Sequence, residues 1–131
     1  MIVVDASAVL DLLLRRPAAE RIEAEISSEL VLHEPHLLDT EVLHGLRRWV
    51  GRGDLSPLRA EQALETLARL PMVRYSHAPL SEAVWELRER LGAYDATYAA
   101  LARGLGATLL TSDGRLARGA AGLTTVTDVS R

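Results

Sequence analysis

Four carboxylates stand apart from their surroundings: Asp5, Glu41, Asp95 and Asp113. Asp5 interrupts the apolar opening MIVVDASAVL directly after a run of β-branched residues. Asp113 follows closely on a second strand-like run, TLLT at 108–111. Glu41 lies one turn into a helical stretch, beside its apolar stripe, where a half-buried acid needs a partner. Asp95 starts an Ala-rich helical stretch, YDATYAALA. Carboxylates gathered within a few ångströms repel one another unless a cation neutralises them. Oxygen donors in a chain without cysteine suit Mg²⁺ or Mn²⁺. Such a centre hydrolyses phosphodiesters: the metal polarises a phosphoryl oxygen, lowers the pKa of bound water and stabilises the leaving oxygen. Each acid also has an ordinary explanation. Asp5 fits a strand-end turn, Asp95 fits a helix N-cap, and Asp113-Gly114 is a common turn dipeptide.

The elements that must position these acids alternate between short apolar runs and helical stretches, the pattern of an α/β domain with a parallel sheet. Met1 to Val4 reads as a strand buried on both faces. Ala6 to Leu14 reads as a helix, and Pro17 opens a second one through Ile26. Leu30 to His33 reads as the second strand, closed by Pro35. His36 to Val50 is helical, with Leu38, Val42, Leu46 and Trp49 on one stripe. Ser56-Pro57 caps a helix that runs to Leu70. Met72 to Ser76 is a third strand, Pro79 to Leu91 a helix, and Asp95 to Arg103 a short helix closed by glycines. Thr108 to Thr111 is the fourth strand and Leu123 to Val129 a fifth. In an open parallel sheet, ligands bind beyond the carboxyl ends of the strands, where strand order reverses. Asp5 and Asp113, each following a strand, can meet there.

The 131 residues fit one domain, 1–131, with 48% apolar residues to build its core. The stretch MIVVDASAVLDLLLRRP carries acids within its apolar run and no basic leader, so it reads as neither a signal peptide nor a membrane span. A cytoplasmic location is expected. Net charge is −3, and all 15 basic residues are Arg. The absence of Lys disfavours phosphoacceptor receiver domains, haloacid-dehalogenase-type phosphatases and P-loop NTPases, all of which rely on one. No GxGxxG follows the first strand, so a dinucleotide-binding domain is unsupported.

The four histidines, His33, His36, His44 and His77, show no tight metal-binding spacing and read as structural. Trp49 and Trp85 read as packing residues of a core or a dimer interface. Asp39, on the other side of its helix from Glu41, is expected to stay out of the pocket.

The wording and order of the motifs resemble the PIN domain, and more narrowly the VapC-type toxins of bacterial toxin–antitoxin pairs. VVDASAVL, TEVLHGLRR, YDATYAALA and LLTSDGRLAR resemble that family's successive motifs from Met1 to about Val129. The resemblance implies a three-layer α/β/α domain with a central parallel sheet of about five strands. It implies a Mg²⁺- or Mn²⁺-dependent endoribonuclease with Asp5, Glu41, Asp95 and Asp113 as catalytic, metal-holding acids. Asp5 and Asp95 would be the surest ligands, and Ser7 and Thr111 would orient the acids or water by hydrogen bonds. A homodimer and a small antitoxin that blocks the active site are implied as well. Some relatives carry a further acid three residues after the fourth, where this chain has Leu116. Arg47, Arg48 and Arg115 are candidates for guiding RNA phosphates, alongside Arg52 and Arg118. Two other readings stay open: a non-catalytic PIN-like module that binds RNA or protein, and an RNA-processing nuclease without a toxin role.

Overall fold

The computed structural model describes residues 1–130. Strand β1 (Ile2–Val4) has all three residues buried, as a central strand of a parallel sheet requires. It pairs in parallel with β4 (Thr108–Thr111), with Val4 opposite Leu110. In turn, β4 pairs with β5 (Val126–Asp128), again in parallel. On the other side, β2 (Leu32–Pro35) pairs in parallel with β3 (Met72–Tyr75). β2 packs along β1, so the order across the molecule is β3-β2-β1-β4-β5. Among the described residues no backbone ladder joins β1 to β2. The Glu34 side chain spans that seam, its Oε1 accepting the Val4 N–H at 2.8 Å.

Right-handed crossovers sort the helices. The chain moves from β1 through β2 to β3 in one direction, which places the intervening helices on one face. These are α1 (Ala6–Leu13), α2 (Ala19–Ile26), α3 (Leu37–Gly51) and α4 (Pro57–Arg69). It then crosses to β4 and β5 in the opposite direction. That places α5 (Ser81–Glu86), α6 (Ala93–Leu105) and α7 (Gly114–Ala120) on the other face. The packing follows this division: α1 meets α2, α3 and α4, whereas α6 meets α5, α7 and strands β1, β2 and β4. The result is the three-layer α/β/α arrangement expected from the sequence.

Close packing on both faces uses small residues. Ala96 to Ala102 on α6 are all buried, so this helix lies in the interior with only its ends in solvent. Gly106, at φ 63°, ends α6 in the left-handed conformation that glycine adopts at little cost. A Cβ on Gly45 would stand 2.6 Å from Leu10, so α1 and α3 meet at that glycine.

Several boundaries differ from expectation. β2 begins and ends two residues later, because Glu34 belongs to the strand and fastens it to β1. The helix expected at Pro79–Leu91 is a 3-10 turn at Ala78–Leu80 followed by the six-residue α5, although Leu87 and Leu91 are buried as its pattern demands. α6 starts earlier, with Gly92 as its N-cap, so Asp95 sits within the first turn and is not the cap. Asp113 opens a helix where the dipeptide Asp-Gly reads as a turn. Trp85 is 67% exposed and Trp49 half-buried, with Arg88 and Arg16 stacked over their rings, so neither fills the core.

Candidate active site

Asp5 is held from several directions. Its N–H donates to the Leu110 carbonyl, continuing the β1–β4 pairing by one residue. Its side chain caps α1, accepting the Ala8 N–H at 3.1 Å. The Ser7 hydroxyl donates to the same carboxylate at 2.8 Å. Burial raises the Asp5 pKa to about 7 despite these hydrogen bonds, and the nearby charge of Asp113 raises it further.

Asp113 is the matching residue beyond β4. It caps α7, its Oδ1 accepting N–H groups from Arg115 at 2.9 Å and Leu116 at 3.4 Å. The Asp113 N–H donates to Thr111 Oγ1 at 2.9 Å. Thr111 is fully buried and lies 3.5 Å from the Ser7 hydroxyl, which also receives a bond from Ser112 at 3.2 Å. Three hydroxyls thus link the carboxyl ends of β1 and β4. This is where strand order reverses, the place at which open α/β sheets bind ligands.

The other two acids come from helices. Asp95 lies in the first turn of α6, half-buried. Its pKa is raised by burial and by Asp113, with Arg115 pulling it down. Glu41 lies in the second turn of α3. Burial raises its pKa, the adjacent Tyr98 hydroxyl lowers it, and Asp95 raises it again. The charge couplings run from Asp5 to Asp113, from Asp113 to Asp95, and from Asp95 to Glu41, so the four expected acids form one electrostatic group. Glu41 and Asp95 open onto a cleft of about 420 Å³, with Gly92, Ala93, Tyr94 and Arg115 as its other walls. Asp5 is only 5% exposed and does not line the cleft. Among the described residues, no three His, Asp or Glu side chains stand close enough to grip a single ion as placed.

The donor set nevertheless suits a divalent cation. It is all oxygen, its members repel one another, and one oxygen, Glu41 Oε1, is buried without a hydrogen-bond partner. Leu116, three residues after Asp113, is a fully buried core residue of α7.

Arg115 reaches the cleft. Arg47 and Arg48 are exposed on α3 and line no part of it. Three histidines have structural partners: His33 Nδ1 bonds Tyr75 at 2.7 Å, His77 Nε2 accepts the Leu37 N–H at 2.8 Å, and His36 packs edge-on against His77; His44 is exposed on α3, and its charge lowers the Glu41 pKa. Asp39 pairs with Arg74 through two bonds of 2.7 and 2.9 Å, away from the four acids.

Two buried polar residues of this region were not anticipated. Glu34 is fully buried, with its pKa held well above the usual range by burial and by Asp5, and its Oε2 has no partner. An acid inside the apolar run LVLHEP is the same signal that marks Asp5. Tyr98 is 1% exposed, and its hydroxyl also has no partner.

A five-stranded parallel α/β domain with acids at its strand-order reversal defines a class of candidate phosphodiesterases. Within that class the chain belongs to the PIN domain family, which matches residues 2–122. It is 47% identical over 116 residues to the VapC ribonuclease Mb0985 of Mycobacterium bovis, covering 88% of each chain. It is 45% identical over 116 residues to ribonuclease VapC1 of Mycobacterium tuberculosis, covering 88% of this chain and 87% of that one. Among solved structures, PAE2754 from Pyrobaculum aerophilum superposes with a TM-score of 0.74 at 26% identity, over 98% of this chain and 83% of that one. A chain of VapBC2 from Rickettsia felis, solved bound to a promoter DNA fragment, shares the fold with a TM-score of 0.71 at 14% identity, over 98% of each chain.

Proposed function

We propose that this protein is a divalent-metal-dependent endoribonuclease that acts as the toxin of a toxin–antitoxin pair. The observation that carries the reading is the electrostatic group of Asp5, Glu41, Asp95 and Asp113 at the strand-order reversal, in a chain 47% identical to a VapC ribonuclease. Asp5, Asp95, Asp113 and Glu41 would hold Mg²⁺ or Mn²⁺, which supplies Lewis acidity toward the phosphate and an activated water. The protein's own part is positional. Ser7 and Thr111 fix the Asp5 and Asp113 ends of the site, and the caps of α1 and α7 hold both carboxylates in place. Arg115, on the cleft wall, offers a bidentate contact to an RNA phosphate. By the resemblance to VapC-type toxins, the partners are a small antitoxin that covers the cleft and a second copy of this chain, in the cytoplasm.

The test is cleavage of labelled total RNA by the purified protein with Mg²⁺, with Mn²⁺ and with chelator, beside Asp95→Asn. Metal-dependent fragments that vanish in the variant are expected. Equal fragments from the variant would remove Asp95 from the chemistry. The absence of fragments from antitoxin-free protein would favour a binding module.

A further inference from the structure

Three buried oxygens beside the acids lack hydrogen-bond partners: Glu34 Oε2, Glu41 Oε1 and the Tyr98 hydroxyl. Unpaired polar atoms at full burial are rare, because each forfeits its hydration without replacement. Their concentration around one side chain therefore calls for an explanation. The charged groups that face the Tyr98 hydroxyl are Glu41, Glu34 and Asp5. Tyr98 belongs to α6, one turn after Asp95, whereas Glu41 belongs to α3 on the opposite helical layer. The hydroxyl thus sits where the two layers meet behind the site. It has a single proton to give and carboxyl oxygens to receive it.

Glu34 and Glu41 differ as recipients. Glu34 is fixed in the β1–β2 seam by Val4 and shut away from solvent. Glu41 lines the cleft while its Oε1 is buried, and the Tyr98 hydroxyl is adjacent to its carboxyl. A cation drawing on the exposed side of Glu41 would leave Oε1 as the inner oxygen, aimed at Tyr98. We infer that Tyr98 is a positioning residue for the metal centre, its hydroxyl donating to Glu41 Oε1 and holding that carboxylate in its ligating orientation. This rests on the metal-dependent reading proposed above. Residues behind a metal ligand typically alter metal affinity about 10–100-fold when removed.

Tyr98→Phe removes the hydroxyl and keeps the ring that fills the core. The measurement is calorimetric titration of Mn²⁺, without RNA, into metal-free wild type, Tyr98→Phe, Glu41→Gln, the double variant and Asp95→Asn. The melting temperature of each metal-free protein is recorded alongside. Tyr98→Phe is expected to weaken Mn²⁺ binding about 10-fold. Its metal-free melting temperature should stay near that of wild type, since the hydroxyl makes no hydrogen bond of good geometry before the metal binds. In the Glu41→Gln background the same change should have little further effect, because Tyr98 acts through that carboxylate. Mn²⁺ affinity within twofold of wild type, or an equal loss in both backgrounds, overturns the inference while leaving the metal site intact. A lower metal-free melting temperature with unchanged affinity marks a purely structural residue and overturns it too. Wild type that binds no Mn²⁺ more tightly than Asp95→Asn overturns both the metal reading and this inference.

Discussion

Glu34 Oε1 accepts the backbone N–H of Val4 at 2.8 Å, so a side chain closes the boundary between the two halves of the sheet. Neighbouring parallel strands normally meet through their backbones. Here an acid takes that role and is buried completely to do so. Its second oxygen has no partner, and its pKa is raised by the burial. The seam that supports Asp5 is therefore held by a group that is itself uncomfortable.

Replacing Glu34 separates its two effects. Glu34→Gln keeps an acceptor for Val4 and removes the tendency to ionise, so urea denaturation at pH 8 should show equal or greater stability. Glu34→Ala leaves the Val4 N–H unpaired and opens a cavity, a loss of about 2–4 kcal/mol. Destabilisation by Gln as large as by Ala would mean that the charge itself holds the seam.

The metal-free protein should lose stability as pH rises from about 4 to about 7. Asp5 is raised to about 7 in the folded chain, and Glu34, Glu41 and Asp95 are raised as well. Between the unfolded and folded values the native state binds more protons, so its advantage is full at low pH and is lost through the folded pKa. Asp39, lowered by Arg74, runs the other way, but its contribution is lost only as pH falls through its own depressed value. Thermal melts in chelator from pH 4.5 to 8 give the slope. A melting temperature that rises across this range would contradict the assigned shifts, and Asp5→Asn should flatten the fall.

The fold was largely readable because apolar runs and capping residues mark it locally. Ser56-Pro57 opens α4 as expected, and TLLT is β4 to the residue. The acids were readable for the same reason: Asp5 and Asp113 follow strands, and strand ends in a parallel sheet point to one edge. Glu34 was missed because β2 was ended at His33, which left the acid outside the strand it fastens. Tyr98 was missed because a Tyr within an Ala-rich helix reads as core, and nothing local shows what its hydroxyl faces. Arg47 and Arg48 follow Glu41 closely in the chain but do not line its cleft. A helix advances about 1.5 Å per residue, which carries them roughly 10 Å along α3 from that acid.

Asp5→Asn and Asp95→Asn should each abolish RNA cleavage while preserving the fold. Asn is an acceptable N-cap, so Asp5→Asn keeps the start of α1. With one source of repulsion removed, the metal-free Asp5→Asn protein should melt higher than wild type at pH 8. A lower melting temperature would show that the carboxylate stabilises the fold despite its burial.

Arg115→Ala should weaken RNA binding and reduce the slope of log affinity against log salt by about 1, the loss of one phosphate contact. The double change Arg47→Ala, Arg48→Ala should leave the slope unchanged, since those side chains lie outside the cleft. Filter binding with a catalytically inactive variant measures both. The reverse ranking would move the RNA path onto the outer part of α3.

The pairing of β1 with β4 also sets when the acid group can be completed during synthesis. Ser7 and Thr111, whose hydroxyls meet at the site, are 104 residues apart in the chain. Asp5, Glu41 and Asp95 all leave the ribosome before the strand that brings Asp113 to them. Until residues 108–113 arrive, β1 lacks the strand that it bonds through its backbone and the acids lack their fourth member. Such long-range closure is slow compared with local helix formation. A nascent chain of this design cannot assemble its full acid group until Asp113 has left the ribosome.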